Sequence, residues 1–367
     1  MGNSVSKRHS NIELLRIIAM VMIIASHYVS FGVMKTGGDA YTDWAKGSAL
    51  ARLFTSFFAA GGDTGVGVFF IITGYFLSKS EKPRKLNGIV CPVIFYALLG
   101  AVINVIYSLL SGKGLSFMEL IRAIVLPLSG STWWFATAYV VLVLLSPRIN
   151  GFIGGMEKKK LAAFIIAMWL IWYCGGYALQ ISLWSIERGV FYYFVGAYFK
   201  ASDLSSKKTG KGLLLTCFAL SWAMYWTLTY MIGSSVGGLN VPSLLQNVNV
   251  VNILKLARAA FFAPLCAVLL FLLFLSLDIK SSVPINKAAS ATFGIYLLHE
   301  FPANRDFLWY GIFGVDSVYA GSKLVVPHLL MSVICIFAVG TVCDMLRKRF
   351  LEKPMDKLYF AVFGKNN

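Results

Sequence analysis

In "ELLRIIAMVMIIASHY", Glu13 to Tyr28, an arginine and a histidine interrupt an apolar run that continues for about a bilayer crossing. Arg16 and His27 stand eleven positions apart. At about 100° and 1.5 Å per residue they lie about 20° apart around a helix and about 16 Å apart along it. Met20 and Ile23 fall on the stripe between them. One face therefore offers a guanidinium, an apolar middle and an imidazole. A guanidinium suits an anion such as a phosphate, and a neutral imidazole suits removal of a proton from a hydroxyl. Ionisable side chains at membrane depth normally turn toward the bundle interior or a wet cavity, because lipid exposure is costly. From spacing alone the pair fits a second arrangement equally well, in which Arg16 snorkels to the headgroups beside Glu13 and His27 bonds a neighbouring helix.

Other polar groups lie near or within apolar runs. "KSEKPRK" gathers Lys79, Lys82, Arg84 and Lys85 into a basic segment, either a phosphate grip or a loop that only sets topology. "LLHEFPANRDFLW" carries His299, Glu300 and Arg305, which could hold an acceptor's hydroxyls or satisfy one another as a buried cluster. Asp63 is a candidate to orient His27, as a carboxylate often orients an imidazole. Trp133 and Trp134 suit an outer interfacial belt or a surface on which a sugar ring stacks. Glu187 and Arg188 are adjacent in sequence and cannot both face one way on a helix, so each is expected to pair with another element. His9 and His328 attract no role.

The elements that position these groups follow from composition. Of 367 residues, 58% are hydrophobic and 13% charged, and mean hydropathy is +0.72. That excludes an ordinary soluble domain. The net charge of +17 comes in short clusters between apolar runs and forms no stripe, so nucleic acid is not an expected partner. Six cysteines fall inside apolar segments with no CxxC pair and no metal-like His/Cys spacing, so neither a disulfide framework nor a bound metal is expected. Lys7 and Arg8 precede the first run as in a secretory signal, but the run is long and lacks a small-x-small cleavage site, so it is expected to remain as a helix.

At about 20 apolar residues per crossing, the sequence predicts an all-α, polytopic membrane bundle of about ten helices. Their starts fall near Ile12, Gly62, Gly88, Trp133, Leu161, Leu183, Gly212, Ile253, Ala291 and Lys323. Basic residues concentrate in alternate connections, which predicts cytoplasmic termini at both ends. One membrane-embedded domain is expected over 1–367, with short basic cytoplasmic tails at about 1–11 and 347–367. The longest outer segments, Lys35 to Ala60 and Gly233 to Asn252, read as loops that could form a lid or glycan-binding rim.

Arg-x10-His on the first helix after an acidic residue, Glu13, resembles the signature of the acyltransferase-3 family of membrane-bound O-acyltransferases. "GVGVFFIITGYFLS", Gly65 to Ser78, is similar to the family's second-helix run, with Thr73 where serine is usual. "KSEKPRKLNGIVCPVIFY", "STWWFATAYVVLVLLSP" and "SATFGIYLLHE" follow in the family's order. In the basic segment the family often has two arginines three apart, where this chain has Lys82 and Lys85 with Arg84 between. The "N-R-x-F-L-W" continuation resembles the branch that modifies bacterial surface polysaccharides.

The resemblance implies a ten-helix core in the bacterial cytoplasmic membrane. It implies transfer of an acyl group, most often acetyl, from cytoplasmic acetyl-CoA to a hydroxyl of an extracytoplasmic glycan or lipid-linked sugar, with no permanently bound cofactor. His27 would be the catalytic base. Arg16, Lys82, Arg84 and Lys85 would bind the donor. Glu13, Asp63, Thr73, Trp133, Trp134, His299, Glu300 and Arg305 would support the acceptor or the site. The competing class is a transporter or flippase without acyl chemistry, which also buries Arg and His in its spans but lacks this ordered set of motifs.

Overall fold

The computed structural model describes residues 9–34, 40–80, 85–112, 117–128, 133–176, 179, 186–203, 210–321 and 324–364. Every element among them is a helix, as the uniform apolar content requires. With no water in the bilayer core, a helix satisfies its own backbone groups.

The main helices are α1 (Ser10–Val33), α2 (Ala49–Ala59), α3 (Gly61–Leu77), α4 (Asn87–Ser111) and α5 (Trp134–Gly154). Next come α6 (Lys158–Met168), continued by a π-helical stretch to Gly175, then α7 (Ile186–Ala201), α8 (Lys211–Val236) and α9 (Val248–Leu275). The chain closes with α10 (Val283–Ser290), α11 (Thr292–His299), α12 (Val325–Phe350) and α13 (Glu352–Phe363).

Seven described helices are long and apolar enough to cross a membrane: α1, the α2–α3 pair, α4, α5, α8, α9 and α12. The other three expected spans fall on shorter or interrupted helices. α6 opens on Lys158, Lys159 and Lys160. The start expected near Leu183 lies outside the described residues, and α7 carries Glu187 and Arg188 in its first turn. The segment around Ala291 breaks there into α10 and α11.

The expected outer loop before Ala60 is largely helical where described, with a short helix Ala40–Ala45 turning through Lys46–Ser48 into α2. Trp44 anchors it: the indole is 1% exposed and its Nε1 donates to Thr55 Oγ1 at 3.0 Å. The expected C-terminal tail likewise contains α13, which packs on α4 and accepts a hydrogen bond at Asp356 Oδ1 from Asn87 Nδ2 at 2.8 Å.

α3 is the hub, packing extensively against α7, α1 and α9. Its glycines allow this, since a missing Cβ lets two helix backbones approach. A Cβ on Gly65 would come 2.7 Å from the Ala19 carbonyl of α1, and one on Gly196 of α7 would collide with the Ile71 carbonyl of α3. Without that approach the stripe on α1 could not face α3 across a narrow gap.

Candidate functional site

The α1 stripe faces inward. Arg16, Met20, Ile23 and His27 all line one cavity of about 210 Å³. Val66, Phe69 and Thr73 of α3 form the opposite wall, and Lys85 and Ile89 lie at the end near Arg16. Trp134 and Phe135 at the start of α5 and Thr292 and Tyr296 of α11 complete it. The apolar middle predicted from sequence therefore lines the same cavity as the cations and the imidazole.

His27 ends the regular part of α1. The next turn, Tyr28–Val33, is π-helical, an irregularity frequent at functional sites because it re-aims side chains. Phe31 in that turn lies 5.0 Å from the His27 ring, centroid to centroid, and also carries the Arg305 guanidinium 4.2 Å from its ring centre.

The partners of His27 come from the end of α11. His27 Nδ1 lies 3.0 Å from His299 Nε2 and 3.1 Å from Glu300 Oε2. His299 Nδ1 is 2.7 Å from the Ile295 carbonyl, which can only accept, so Nδ1 carries the proton there. In a neutral ring His299 Nε2 is then an acceptor, and His27 Nδ1 donates to it. The lone pair of His27 is left on Nε2. This relay is the second-layer orientation that a working base needs. Glu300, 3% exposed, pairs through Oε1 with Arg305, so the buried carboxylate has a cationic partner. The imidazole itself is 19% exposed and lines the cavity.

Of the donor-binding candidates, Arg16 and Lys85 are brought to the cavity, while Lys82 and Arg84 lie outside the described residues. Glu13 does not partner Arg16: among the described residues neither Glu13 Oε2 nor Arg16 Nε makes a hydrogen bond. Arg16 thus presents to the cavity a guanidinium, a group suited to charge-assisted bonds with an anion. Lys85 Nζ rests 5.4 Å from the Phe360 ring centre of α13. Thr73 lines the cavity while its Oγ1 donates to the Phe69 carbonyl at 2.8 Å.

Asp63 does not reach His27. Its carboxylate pairs with Arg188 of α7 at 3.6 Å and accepts from Tyr225 of α8 at 3.3 Å. The acid beside His27 is Glu300. Arg188 thus turns to another helix, in line with its adjacency to Glu187. The two tryptophans also separate: Trp134 lines the cavity, whereas Trp133 is fully buried against Phe301 at 5.6 Å and offers no face to headgroups or an incoming sugar.

Two groups escaped the sequence reading. Tyr296 lines the cavity, and its buried hydroxyl lies near the Phe135 and Ala136 backbone amides without forming a well-aligned hydrogen bond. The signal was available, since Tyr296 sits in the quoted "IYLLH" one helical turn before His299. Tyr28 and His328 join α1 to α12 at 2.8 Å, across 300 residues of sequence that no local spacing could relate.

The chain matches the family model described as an acyltransferase domain over residues 9–347, nearly its whole length. No curated protein and no solved structure is matched. A family match of that extent, over a helical bundle whose first-helix Arg and His share one cavity, supports an enzyme and not a transporter without acyl chemistry. The chain belongs to the acyltransferase-3 family and is a multi-pass membrane acyltransferase.

Proposed function

We propose that the protein is an O-acetyltransferase. It moves acetyl from cytoplasmic acetyl-CoA to a hydroxyl of an extracytoplasmic surface polysaccharide or lipid-linked glycan, in a bilayer that both chain ends face from the cytoplasmic side. The supporting observation is the single cavity lined by Arg16 and Lys85 toward one end and His27 toward the other. The donor's phosphates meet the two cations by charge-assisted hydrogen bonds. Its narrow arm lies along Met20 and Ile23, which sets the thioester near His27.

The acceptor then enters from the opposite side. His27 Nε2 takes the hydroxyl proton as the acceptor oxygen attacks the thioester carbonyl. A carbon–oxygen bond forms and the carbon–sulfur bond breaks. The sulfur leaves as thiolate and recovers the proton from the imidazolium, so both products leave neutral at the reacting atoms and no acyl-enzyme is needed. Tyr296, on the cavity wall, supplies a hydroxyl donor for the carbonyl oxygen as charge develops on it.

Mass spectrometry of surface glycans from cells with and without the gene tests the proposal. An acetyl substituent present only with the gene is expected, and identical glycans would overturn it.

A further inference from the structure

We propose that His27 Nδ1, His299 Nε2 and Glu300 Oε2 form a binding site for a divalent transition ion, with zinc the best fit, and that the bound ion switches acyl transfer off. The inhibition rests on the role given above to His27; the site itself does not.

The three donor atoms lie within 4.8 Å of one another. Two of the separations are 3.0 and 3.1 Å. Bonds of about 2.0–2.2 Å in a tetrahedron place ligands about 3.3–3.6 Å apart, so these two separations need to open by only a few tenths of an ångström, while the third is no more than 4.8 Å. Two imidazoles and one carboxylate suit zinc, and three protein ligands leave a fourth position open.

A second observation points to a ligand. Glu300 is 3% exposed, yet its Oε2 makes no hydrogen bond among the described residues while Oε1 is taken by Arg305. A buried carboxylate oxygen whose near neighbour is the His27 ring nitrogen at 3.1 Å, without an aligned hydrogen bond, is costly unless something cationic meets it.

The outer layer is already built for an ion. A metal-bound histidine ordinarily gives its other N–H to a carbonyl or carboxylate, and a metal-bound carboxylate is itself hydrogen-bonded. His299 Nδ1 meets the Ile295 carbonyl at 2.7 Å, and Glu300 Oε1 meets Arg305. The Arg305 charge opposes a dication, which sets the affinity below that of a structural zinc and makes the ion exchangeable.

Zinc and the base role exclude each other. An ion on Nδ1 displaces the proton there, so the neutral ring must carry its proton on Nε2, the atom that would accept one from the acceptor. His299 and Glu300 are also drawn out of the relay that orients the ring.

The test uses the full-length protein in detergent, with zinc chloride as the probe. After incubation and desalting, elemental analysis should find about one zinc per chain, and zinc should raise the melting temperature in a way that a chelator reverses. His299→Ala and Glu300→Gln should each lose the retained zinc and the shift. His328→Ala should keep both, since His328 pairs with Tyr28 outside the cluster. No stoichiometric zinc on the wild type, or equal zinc on His299→Ala and Glu300→Gln, would overturn the site. Glycan acetylation in membrane vesicles is then measured with and without zinc. A chelator-reversible loss of tenfold or more is expected. Zinc retained with acetylation unchanged or faster would overturn the inhibition and with it the assignment of His27 as base, whereas absent zinc leaves that assignment standing.

Discussion

His27 Nδ1 and His299 Nε2 face each other at 3.0 Å although 272 positions separate them in the chain. The contact joins the first long helix to the short α11 and fixes which imidazole nitrogen is free to act. It also makes a helix end that sequence left among secondary candidates part of the machinery around His27.

Replacing His27 with Ala should lower glycan acetylation by about 10²–10⁴-fold, the usual contribution of a positioned base, with protein level and membrane insertion unchanged. Normal acetylation by this variant would remove the mechanism. His27→Gln, which keeps a polar group in the space, should be equally inactive.

Arg16→Ala should act on the donor. Loss of a charge-assisted hydrogen bond of about 1.5–3 kcal/mol corresponds to a rise of about 10- to 150-fold in KM for acetyl-CoA, with a smaller effect on turnover. Lys85→Ala should move the same constant in the same direction by less, because Lys85 is exposed to solvent while Arg16 is half-buried. Unchanged donor KM in both variants would return these cations to a topological role.

Glu300→Gln should lose both activity and stability. The amide no longer compensates Arg305, and breaking a buried charge pair costs about 3–5 kcal/mol, a figure that partial exposure of the guanidinium reduces. The double variant Glu300→Gln/Arg305→Gln should recover much of the melting temperature while acetylation stays low. Joint recovery of both would show that Glu300 serves the fold alone.

Gly196→Ala should destabilise the bundle without touching the chemistry. The added methyl meets the Ile71 carbonyl of α3, and overpacking of this kind typically costs about 1–3 kcal/mol. The expected result is a lower melting temperature in detergent with an unchanged donor KM in the surviving folded protein.

Much of the site could be read before the fold was known. Arg16, Met20, Ile23 and His27 share a cavity because a helical period is strict over three turns, and each side chain's direction follows from its number. The same logic could not link His27 to Glu300, because that proximity depends on how α1 packs against a helix far along the chain. Asp63 looked equally suitable by proximity in sequence, and packing gave it to Arg188 instead. Trp133 and Trp134 are adjacent and chemically alike, yet successive residues leave a helix end in different directions, so one lines the passage and the other fills the core. Where helices carry charges or break, as in α6, α7 and at Ala291, length and apolar content among the described residues single out seven spans, and the other three expected ones fall on shorter or interrupted helices.

The π-helical turn from Tyr28 to Val33 holds more residues per revolution than the helix it extends. It resets the angular phase of everything beyond His27 relative to the stripe that begins at Arg16. Phe31 of that turn meets both the His27 ring and the Arg305 guanidinium, while Tyr28 reaches His328. One irregular turn thus fastens the end of the first span to two regions nearly three hundred positions away.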